Sequence, residues 1–415
     1  MRYAYIKHNN VVREFLRVGL NPKKIPEGGP DAYVAHFMHL VGDQPALLMS
    51  VHGFSPEKDE CIERGNVALH SFYWFSRILK PFGNISKRPL CTFLPRLTKS
   101  LIMFWKLMKF RPDRVLCWQS SFPLWAVFLA SQVVGAKFVY CRHTRIFGGR
   151  DQWYQRITKG LDTWIMRHAP AVVCNGPYLK DQLLEIGVKA EKIFEFNWSF
   201  RHLLTESVER ASAQQLDIDD NRRMILFIGR VHSHKGVFDL LNACTDRLLR
   251  DQSLVLAYAG DGAHLEELRR EVSKRGLDDK VKFLGMVPHD SLANLISRAS
   301  LVVTPTRGLY PEGRCMATME GLIKGIPVIA PDFGPFPYLV KNGVNGLLYQ
   351  VDSVEDLGAK IANGLDDVEL YERLRAGAEK TGRELRNARV NFYDAIKSAF
   401  EYSESGSTQP GQNTQ

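Results

Sequence analysis

Residues 301–331 read LVVTPTRGLYPEGRCMATMEGLIKGIPVIAP and contain a strand–helix–strand pattern. LVVTPT and PVIAP are short apolar runs typical of buried strands, and CMATMEGLIKG between them reads as a helix that ends in glycine. Two strands joined by one helix are typical of neighbouring parallel strands in an α/β sheet. This stretch therefore predicts an α/β fold.

The same alternation continues on both sides of this stretch. Upstream, MILFIGR, LVLAYAGDG and VKFLGMV read as three further strands, each followed by a helix-like segment, which predicts five parallel strands in the second half. In the first half, RYAYIKH and ALLMSVHG read as strands, and DAYVAHFMHLV reads as a helix after an EGGP turn. The sequence predicts two doubly wound, Rossmann-like domains.

The length of 415 residues exceeds what one hydrophobic core usually supports, and 45% hydrophobic and 24% charged residues indicate a folded chain. A polar segment marks a linker between the halves, and the end of the chain is polar without apolar periodicity. We predict an N-terminal domain at 1–205, a linker at 206–223, a C-terminal domain at 224–386, a helix crossing back to the first domain at 387–403, and a disordered tail at 404–415.

Residues 115–136 carry no charge and are long enough to resemble a membrane span. The turn sequence QSSFP divides them, so we predict a strand, a loop and a buried helix, followed by another strand. The first residues lack the apolar core of a signal peptide, and the seven cysteines form no C-x-x-C pair. We therefore expect a cytoplasmic chain with free thiols.

The net charge of +10 is concentrated between residues 71 and 114, where ten Lys or Arg accompany one acid, Asp113. A helix over this region would group apolar residues on one side (Leu97, Leu101, Phe104, Trp105, Met108) and basic residues on the other (Arg96, Lys99, Lys106, Lys109). Two explanations stay open: peripheral attachment to an anionic membrane surface, or a core-facing helix with a solvated basic face. No recognition motif accompanies the charge, so we expect no nucleic-acid partner.

Ligands of parallel sheets bind at the carboxyl ends of the strands, where the sequence places four charged residues. Arg230 and Lys235 lie in GRVHSHKG after the strand MILFIGR, and two cations in a glycine loop can bind a diphosphate. Glu312 and Glu320, with seven residues between them, flank a helix start at Gly313–Met316 whose backbone N–H groups can face an anion. Solvated cations, a Glu312 that only favours a helix N-terminus and a Glu320 on a helix surface are the alternatives.

Four segments together, GRVHSHKG, AYAGDG, VKFLGMVPHDSL and PEGRCMATMEGLIKGIPVIAPDFGPFPYLVKNGVNGLL, resemble in order and spacing the donor-binding domain of the family-4 retaining glycosyltransferases. The resemblance covers residues 223–383 and is looser in the first half. It implies the GT-B fold, in which two Rossmann-like domains face each other across a cleft.

The resemblance also implies roles for individual residues. Arg230 and Lys235 would neutralise the donor diphosphate, Glu320 would bind the ribose hydroxyls, and Glu312 and His143 would contact the donor sugar. The backbone near Val287 would meet the nucleobase, and Gly28 and Gly29 would approach the phosphates.

Two residues depart from the family pattern, which usually has an aromatic residue and a glycine where this chain has Arg314 and Cys315. Arg314 could bind an anionic group on the donor or the acceptor, or it could form a surface salt bridge. His143 could equally make only a structural hydrogen bond.

Neither histidines nor acidic pairs in the sequence indicate a metal. His232 and His234 lack nearby Cys or carboxylate ligands, and the Asp-x-Asp at 217–219 lies in the polar linker. We therefore expect no metal and no cofactor beyond the nucleotide diphosphate sugar as co-substrate.

The predicted activity is a metal-independent hexosyl transfer to a carbohydrate or lipid-linked acceptor in cell-envelope polysaccharide or glycolipid assembly, and the resemblance implies that the transfer retains the configuration of the anomeric carbon. A sugar-nucleotide epimerase of the same fold would convert donor to isomer without an acceptor. A catalytically silent sugar-binding scaffold would bind without turnover. The intact set of Arg230, Lys235, Glu312 and Glu320 argues against the scaffold.

Overall fold

The computed structural model describes residues 1–7, 10–18, 29–52, 59–73, 89–146, 153–198, 222–310, 312–387 and 390–405. The chain forms two compact units, each with its own sheet. The first comprises Met1–Ile146, Asp151–Trp198 and Arg389–Gln415, and the second comprises Phe147–Arg150 and Ser199–Ala388.

The first unit contains an eight-stranded sheet. Its strands are β1 (Tyr3–Lys7), β2 (Ala46–His52), β3 (Glu60–Arg64), β4 (Val67–Tyr73), β5 (Arg114–Cys117), β6 (Lys137–Arg142), β7 (Ala171–Asn175) and β8 (Ile193–Phe196). Their order is β3-β4-β2-β1-β5-β6-β7-β8, and only the edge pair β3–β4 is antiparallel. This hairpin was not predicted, because β3 lies at the sheet edge and its polar, largely exposed residues lack a hydrophobic signal.

Seven helices accompany this sheet in the part of the first unit that the structure describes: α1 (Val11–Val18), α2 (Gly29–Val41), α3 (Pro89–Phe110), α4 (Ser121–Val134), α5 (Trp153–His168), α6 (Pro177–Glu185) and α14 (Phe392–Ser405). Helix α4 packs between α3 and α5, whereas α14 packs against α2 and strands β6–β8. The uncharged segment 115–136 forms β5, α4 and the turn before β6, as predicted. Within the described residues, no helix is both long and apolar enough to span a bilayer.

Helix α3 was predicted, and of the two explanations for its apolar side the core-facing one is wrong. Its buried row is Ser100, Met103 and Leu107, whereas Leu101 and Trp105 are 53% and 71% exposed. The two basic residues Lys99 and Lys106 contact the β3–β4 hairpin, through Asp59 beside β3 and His70 of β4. Apolar residues lie on nearly all sides of α3, so their spacing does not determine which side faces the sheet.

The second unit contains a six-stranded, all-parallel sheet. Its strands are β9 (Arg223–Ile228), β10 (Leu254–Ala259), β11 (Val281–Gly285), β12 (Leu301–Val303), β13 (Val328–Pro331) and β14 (Gly346–Tyr349), in the order β11-β10-β9-β12-β13-β14. The five predicted strands are confirmed, and β14 is an additional one. It spans only four residues after a turn rich in glycine and asparagine, which hid it from pattern analysis.

Over residues 222–387, as far as the structure describes them, the α-helices of this unit are α7 (Val237–Arg250), α8 (Leu265–Lys274), α9 (His289–Ser297), α10 (Met316–Ile323), α11 (Phe336–Leu339), α12 (Val354–Asp366) and α13 (Val368–Arg386). Buried leucine, valine and isoleucine side chains from the strands and from α7, α8 and α12 form its core. Burial of such side chains is the main driving force for folding.

The predicted segment boundaries differ from the structure at two places. Residues 206–221 of the proposed linker lie outside the described residues, and Arg223 already begins β9. Glu404, assigned to the tail, is the penultimate residue of α14, and both of its carboxylate oxygens accept hydrogen bonds from Arg114 at 2.7 and 2.8 Å. The rest of the tail, 406–415, lies outside the described residues. Among the cysteines described, all six are free thiols and five are buried.

Candidate functional site

The carboxyl ends of β9 and β12 meet at the centre of the second sheet. From β9 the chain proceeds outward through β10 to β11, and from β12 it proceeds the opposite way through β13 to β14. Such a reversal of strand order leaves a crevice outside the carboxyl ends of the two central strands. The loops after β9 and β12 carry Arg230, Lys235 and Glu312, so the fold brings these residues to one place.

Two glycines allow the loops at this edge to pack backbone against backbone. Gly236 has φ 70°, and a Cβ there would lie 1.8 Å from the carbonyl oxygen of Pro305. Gly260, after β10, has φ 147°, and a Cβ there would lie 1.9 Å from the carbonyl oxygen of Gly229. Any other residue would push the loops apart, so Gly236 holds the loop of Lys235 against the loop after β12, and Gly260 holds the loops after β9 and β10 together.

Lys235 is paired with Glu312. Its Nζ donates a hydrogen bond to Glu312 Oε2, and the two side chains are 17% and 13% exposed. Burial by itself lowers the pKa of Lys235, but the charge and hydrogen bond of Glu312 contribute to a net rise above its ordinary value. Lys235 is therefore a charged ammonium at neutral pH, at the position where the sequence predicts the phosphate.

Arg230 and Lys235 both contact Tyr310, a residue that the sequence analysis did not identify. Arg230 Nη2 donates to the Tyr310 hydroxyl at 2.5 Å, and Lys235 Nζ lies 4.4 Å from the centroid of its ring. The aromatic residue two positions before Glu312 was the available signal, but nothing local indicates that it reaches both cations. Arg230 itself is exposed and accessible to a ligand.

Helix α10 carries Glu320 and begins at Met316, with Cys315 as an extended N-cap. Gly321 packs closely on the sheet, because a Cβ there would lie 3.0–3.2 Å from Val328 and Val302 side-chain atoms. Glu320 is 6% exposed, so the alternative that it is a surface helix residue is wrong.

The residues before α10 differ in exposure. Gly313 and Cys315 are buried, whereas Arg314 and Met316 are partly exposed. Arg314 Nε lies 2.9 Å from Sδ of Met319 in α10. The N-terminal turn of α10 follows this segment directly, and the first N–H groups of a helix favour an anion.

Three imidazoles lie together in the loops after β9 and β10, and His232 among them is near Arg230. The ring centroid of His232 is 4.7 Å from that of His234 and 4.5 Å from that of His264. Partial burial lowers the pKa of His232, and His264, His234 and Arg230 lower it further. In the described part of the chain, no group of three or more His, Cys, Asp or Glu side chains is placed to hold a metal ion.

The remaining predicted residues lie elsewhere in the two units. Val287 is partly buried just after β11. In the first unit, His143 follows β6 and is 7% exposed, its ring centroid lies 3.6 Å from that of Trp118, and its Nε2 lies 2.9 Å from Cys141 Sγ. Gly29 begins α2, and Gly28 lies outside the described residues. Donor contacts by these residues stay predictions.

Two family profiles match the chain. The profile described as Glycosyltransferase Family 4 matches residues 34–194, and that described as Glycosyl transferases group 1 matches residues 208–381. Together they cover most of both units, and the second contains every predicted donor-site residue of the second unit.

The chain is similar to a curated relative, the alpha-D-kanosaminyltransferase of Streptomyces kanamyceticus, with 25% identity over 262 residues, 60% of this chain and 67% of the relative. The chain covers only 37% to 53% of the length of seven further curated relatives.

Two solved structures share the fold over nearly all of both chains. Anabaena HepE in complex with UDP has a TM-score of 0.62, with 15% identity over 98% of this chain and 99% of HepE. The sucrose-phosphate synthase of Thermosynechococcus elongatus has a TM-score of 0.66, with 18% identity and the same coverage. At these identities the likeness establishes the fold alone.

Proposed function

We propose that this chain, which belongs to the group 1 glycosyltransferases and has the GT-B fold, moves a sugar from a nucleotide diphosphate sugar to an acceptor hydroxyl. The observation that carries the proposal is the convergence of Arg230, Lys235 and Glu312 at the strand-order reversal of the second sheet. HepE, with the same fold, binds UDP, which supports a nucleotide donor.

The proposed chemistry uses charge stabilisation. Departure of the diphosphate develops negative charge, which Arg230, Lys235 and the N-terminus of α10 stabilise. Glu312 accepts hydrogen bonds from sugar hydroxyls and Glu320 from the ribose. The leaving phosphate takes the proton of the acceptor hydroxyl on the same face of the oxocarbenium-like sugar, so the configuration is retained and neither a protein nucleophile nor a metal is required.

We propose a lipid-linked or cell-envelope acceptor, because the outer face of α3 and α4 suits an anionic membrane surface. Large apolar residues are exposed there on both helices (Leu101, Ile102 and Trp105 on α3; Leu129 and Val133 on α4). Trp164 of α5 extends this face beside Phe128, at a ring-centroid distance of 6.1 Å. Apolar side chains entering the headgroup region, with cations beside them, are the usual basis of interfacial binding.

Charge supports the same partner. Neither α3 nor α4 contains an acidic residue, and Lys109 is exposed at the end of α3. Each cation near an anionic bilayer contributes about 1 kcal/mol. This combination favours an anionic lipid surface over a neutral one.

Liposome flotation tests this surface with phosphatidylcholine vesicles prepared with and without phosphatidylglycerol. We expect flotation with the anionic vesicles and its loss in Trp105→Glu/Leu129→Glu. Leu249→Glu, at a residue 52% exposed on α7 of the second unit, is the matched control and should float normally. Equal recovery with both vesicle types would contradict the electrostatic component, and no recovery with either would contradict docking.

A thermal-shift titration with UDP, GDP, ADP and TDP, with and without EDTA, tests the donor site. One nucleotide should raise the melting temperature, since ligand binding stabilises the folded state by mass action, and the shift should survive EDTA. No shift with any nucleotide would remove the donor-site proposal. Product analysis with the matching nucleotide sugar then separates transfer from epimerisation and from binding without turnover.

A further inference from the structure

We propose that Tyr310 is a positioning residue of the diphosphate site. We also propose that the Glu312 carboxylate is the ion-pair partner of Lys235 in the ligand-free protein, and that the diphosphate replaces it when the donor binds. The inference rests on the proposed function.

Tyr310 is placed to orient both cations at once. Its hydroxyl accepts the hydrogen bond from Arg230 Nη2 at 2.5 Å, and its ring lies 4.4 Å from Lys235 Nζ. A cation over an aromatic face is attracted by the ring and keeps other sides of the ammonium available. Tyr310 can therefore retain Lys235 while Nζ exchanges one anionic partner for another.

The backbone around Tyr310 is fixed by contacts on both sides. Its N–H donates to the carbonyl oxygen of Arg307 at 2.9 Å, and its carbonyl accepts from the N–H of Glu312 at 2.8 Å. Arg307 is held in turn by two hydrogen bonds of 2.6 Å to the carboxylate of Asp239 on α7 and by its N–H to the carbonyl of His234 at 3.0 Å. The ring is thus positioned by the same loop that carries Lys235.

Glu312 supplies the anion that Lys235 requires in the absence of ligand. Burying an ammonium without an anionic partner costs free energy. The Lys235 side chain is only 17% exposed, and the Glu312 carboxylate is its anionic partner. A diphosphate brings more negative charge to the same nitrogen, so Glu312 and the diphosphate compete for Lys235. With a complete donor, the released carboxylate can accept hydrogen bonds from sugar hydroxyls instead.

This competition makes a specific prediction about ligands without a sugar. A nucleoside diphosphate has no hydroxyls to receive the displaced Glu312, which then remains as an uncompensated negative charge near the phosphates. Glu312→Gln removes that charge at nearly constant volume. The variant should bind the nucleoside diphosphate more tightly and still transfer sugar more slowly, because Glu312 no longer grips the donor sugar.

Isothermal titration of the full-length protein with UDP, GDP, ADP and TDP, and with the four monophosphates, tests the competition. Glu312→Gln should lower the Kd of the diphosphate that binds wild type by about 3- to 10-fold, the range expected when one like-charge contact is removed at a partly exposed site. The Kd of the corresponding monophosphate should change less. Glu266→Gln, at an exposed position on α8, is the control and should leave both affinities unchanged.

Graded variants test the role of Tyr310. Tyr310→Phe keeps the ring over Lys235 and loses the Arg230 hydrogen bond, and should weaken diphosphate binding by a few-fold. Tyr310→Leu loses both contacts and should weaken it by more than 10-fold. Equal effects of the two substitutions, or none from either, would overturn the positioning role, and Tyr310→Phe is informative even if Tyr310→Leu does not fold.

The outcomes separate this inference from the function on which it rests. Diphosphate binding by wild type with no tightening in Glu312→Gln overturns the placeholder role and leaves the donor site intact. Absence of binding by wild type to all four diphosphates overturns the proposed function and this inference with it.

Discussion

Lys235 is the residue whose removal should affect turnover most directly. Its ammonium lies between Tyr310 and Glu312 at the predicted phosphate position, and loss of one preorganised charge at a developing anion typically costs about 10²- to 10³-fold in kcat. We expect Lys235→Ala to lower kcat by that order in a folded protein. Lys341→Ala, at an exposed lysine of the same unit, is the control, and near-wild-type kinetics for Lys235→Ala would refute the phosphate assignment.

Glu320 should act on a different part of the donor. It is buried on α10, and a carboxylate that accepts hydrogen bonds from ribose hydroxyls contributes about 1.5–3 kcal/mol. Glu320→Ala should therefore weaken nucleoside diphosphate binding by about 10-fold or more and lower turnover strongly, while inorganic pyrophosphate binding changes little. Calorimetric titration with the nucleoside diphosphate and with pyrophosphate checks this. An equal loss of affinity for both ligands would contradict the assignment of Glu320 to the ribose.

At the scale of elements, Arg247 links α7 to the end of α12. Its guanidinium donates to the Asp366 carboxylate, with one contact of 2.6 Å, and lies 3.8 Å from Asp251. A hydrogen bond from Arg247 lowers the pKa of Asp366, and hydrogen bonds from Ser253 and Arg223 lower that of Asp251. Arg247→Met should lower the free energy of unfolding by about 1 kcal/mol, since such exposed ion-pair networks are weak.

The pH dependence of this effect has a defined direction. A carboxylate whose folded pKa is lowered contributes stability above its unfolded pKa, about 3.9 for Asp, and loses it as pH falls through the folded pKa. The difference in the free energy of unfolding between wild type and Arg247→Met should have its full value at pH 6 and become smaller below about pH 4. Urea unfolding at several pH values measures it, and a difference that is constant down to pH 2 would exclude the ion pairs as its cause.

At the scale of the whole molecule, each unit has its own sheet, and the second has a hydrophobic core of its own. Most of the predicted donor residues lie in the second unit, so a bound nucleotide should protect amides mainly there. We expect slower hydrogen exchange after β9, after β12 and at the start of α10, with little change at β14. Stronger protection in the first unit than in the second would contradict this assignment, and Lys235→Ala should reduce the protection.

The sequence determined the features that depend on residues close together in the chain. Alternating strand-like and helix-like runs predicted the α/β class, five strands of the second sheet and helix α3, because backbone periodicity is a local property. The order of parallel strands places their loops at one edge, and the resemblance to the family-4 glycosyltransferases led us to expect Arg230, Lys235, Glu312 and Glu320 near one ligand there.

The tertiary structure alone decided which of those side chains touch and which are buried. Tyr310 reaches Arg230 across 80 positions of the chain, and Glu320 is buried in a helix, α10, that packs against α13, β12 and β13. Neighbours distant in sequence likewise determine which side of α3 faces the sheet. They also determine the formation of the short strands β3 and β14. Local sequence patterns determine whether a segment is a helix or a strand. Which side of a helix is buried, which strand lies at a sheet edge and which side chains touch depend on packing between segments that are distant in the sequence.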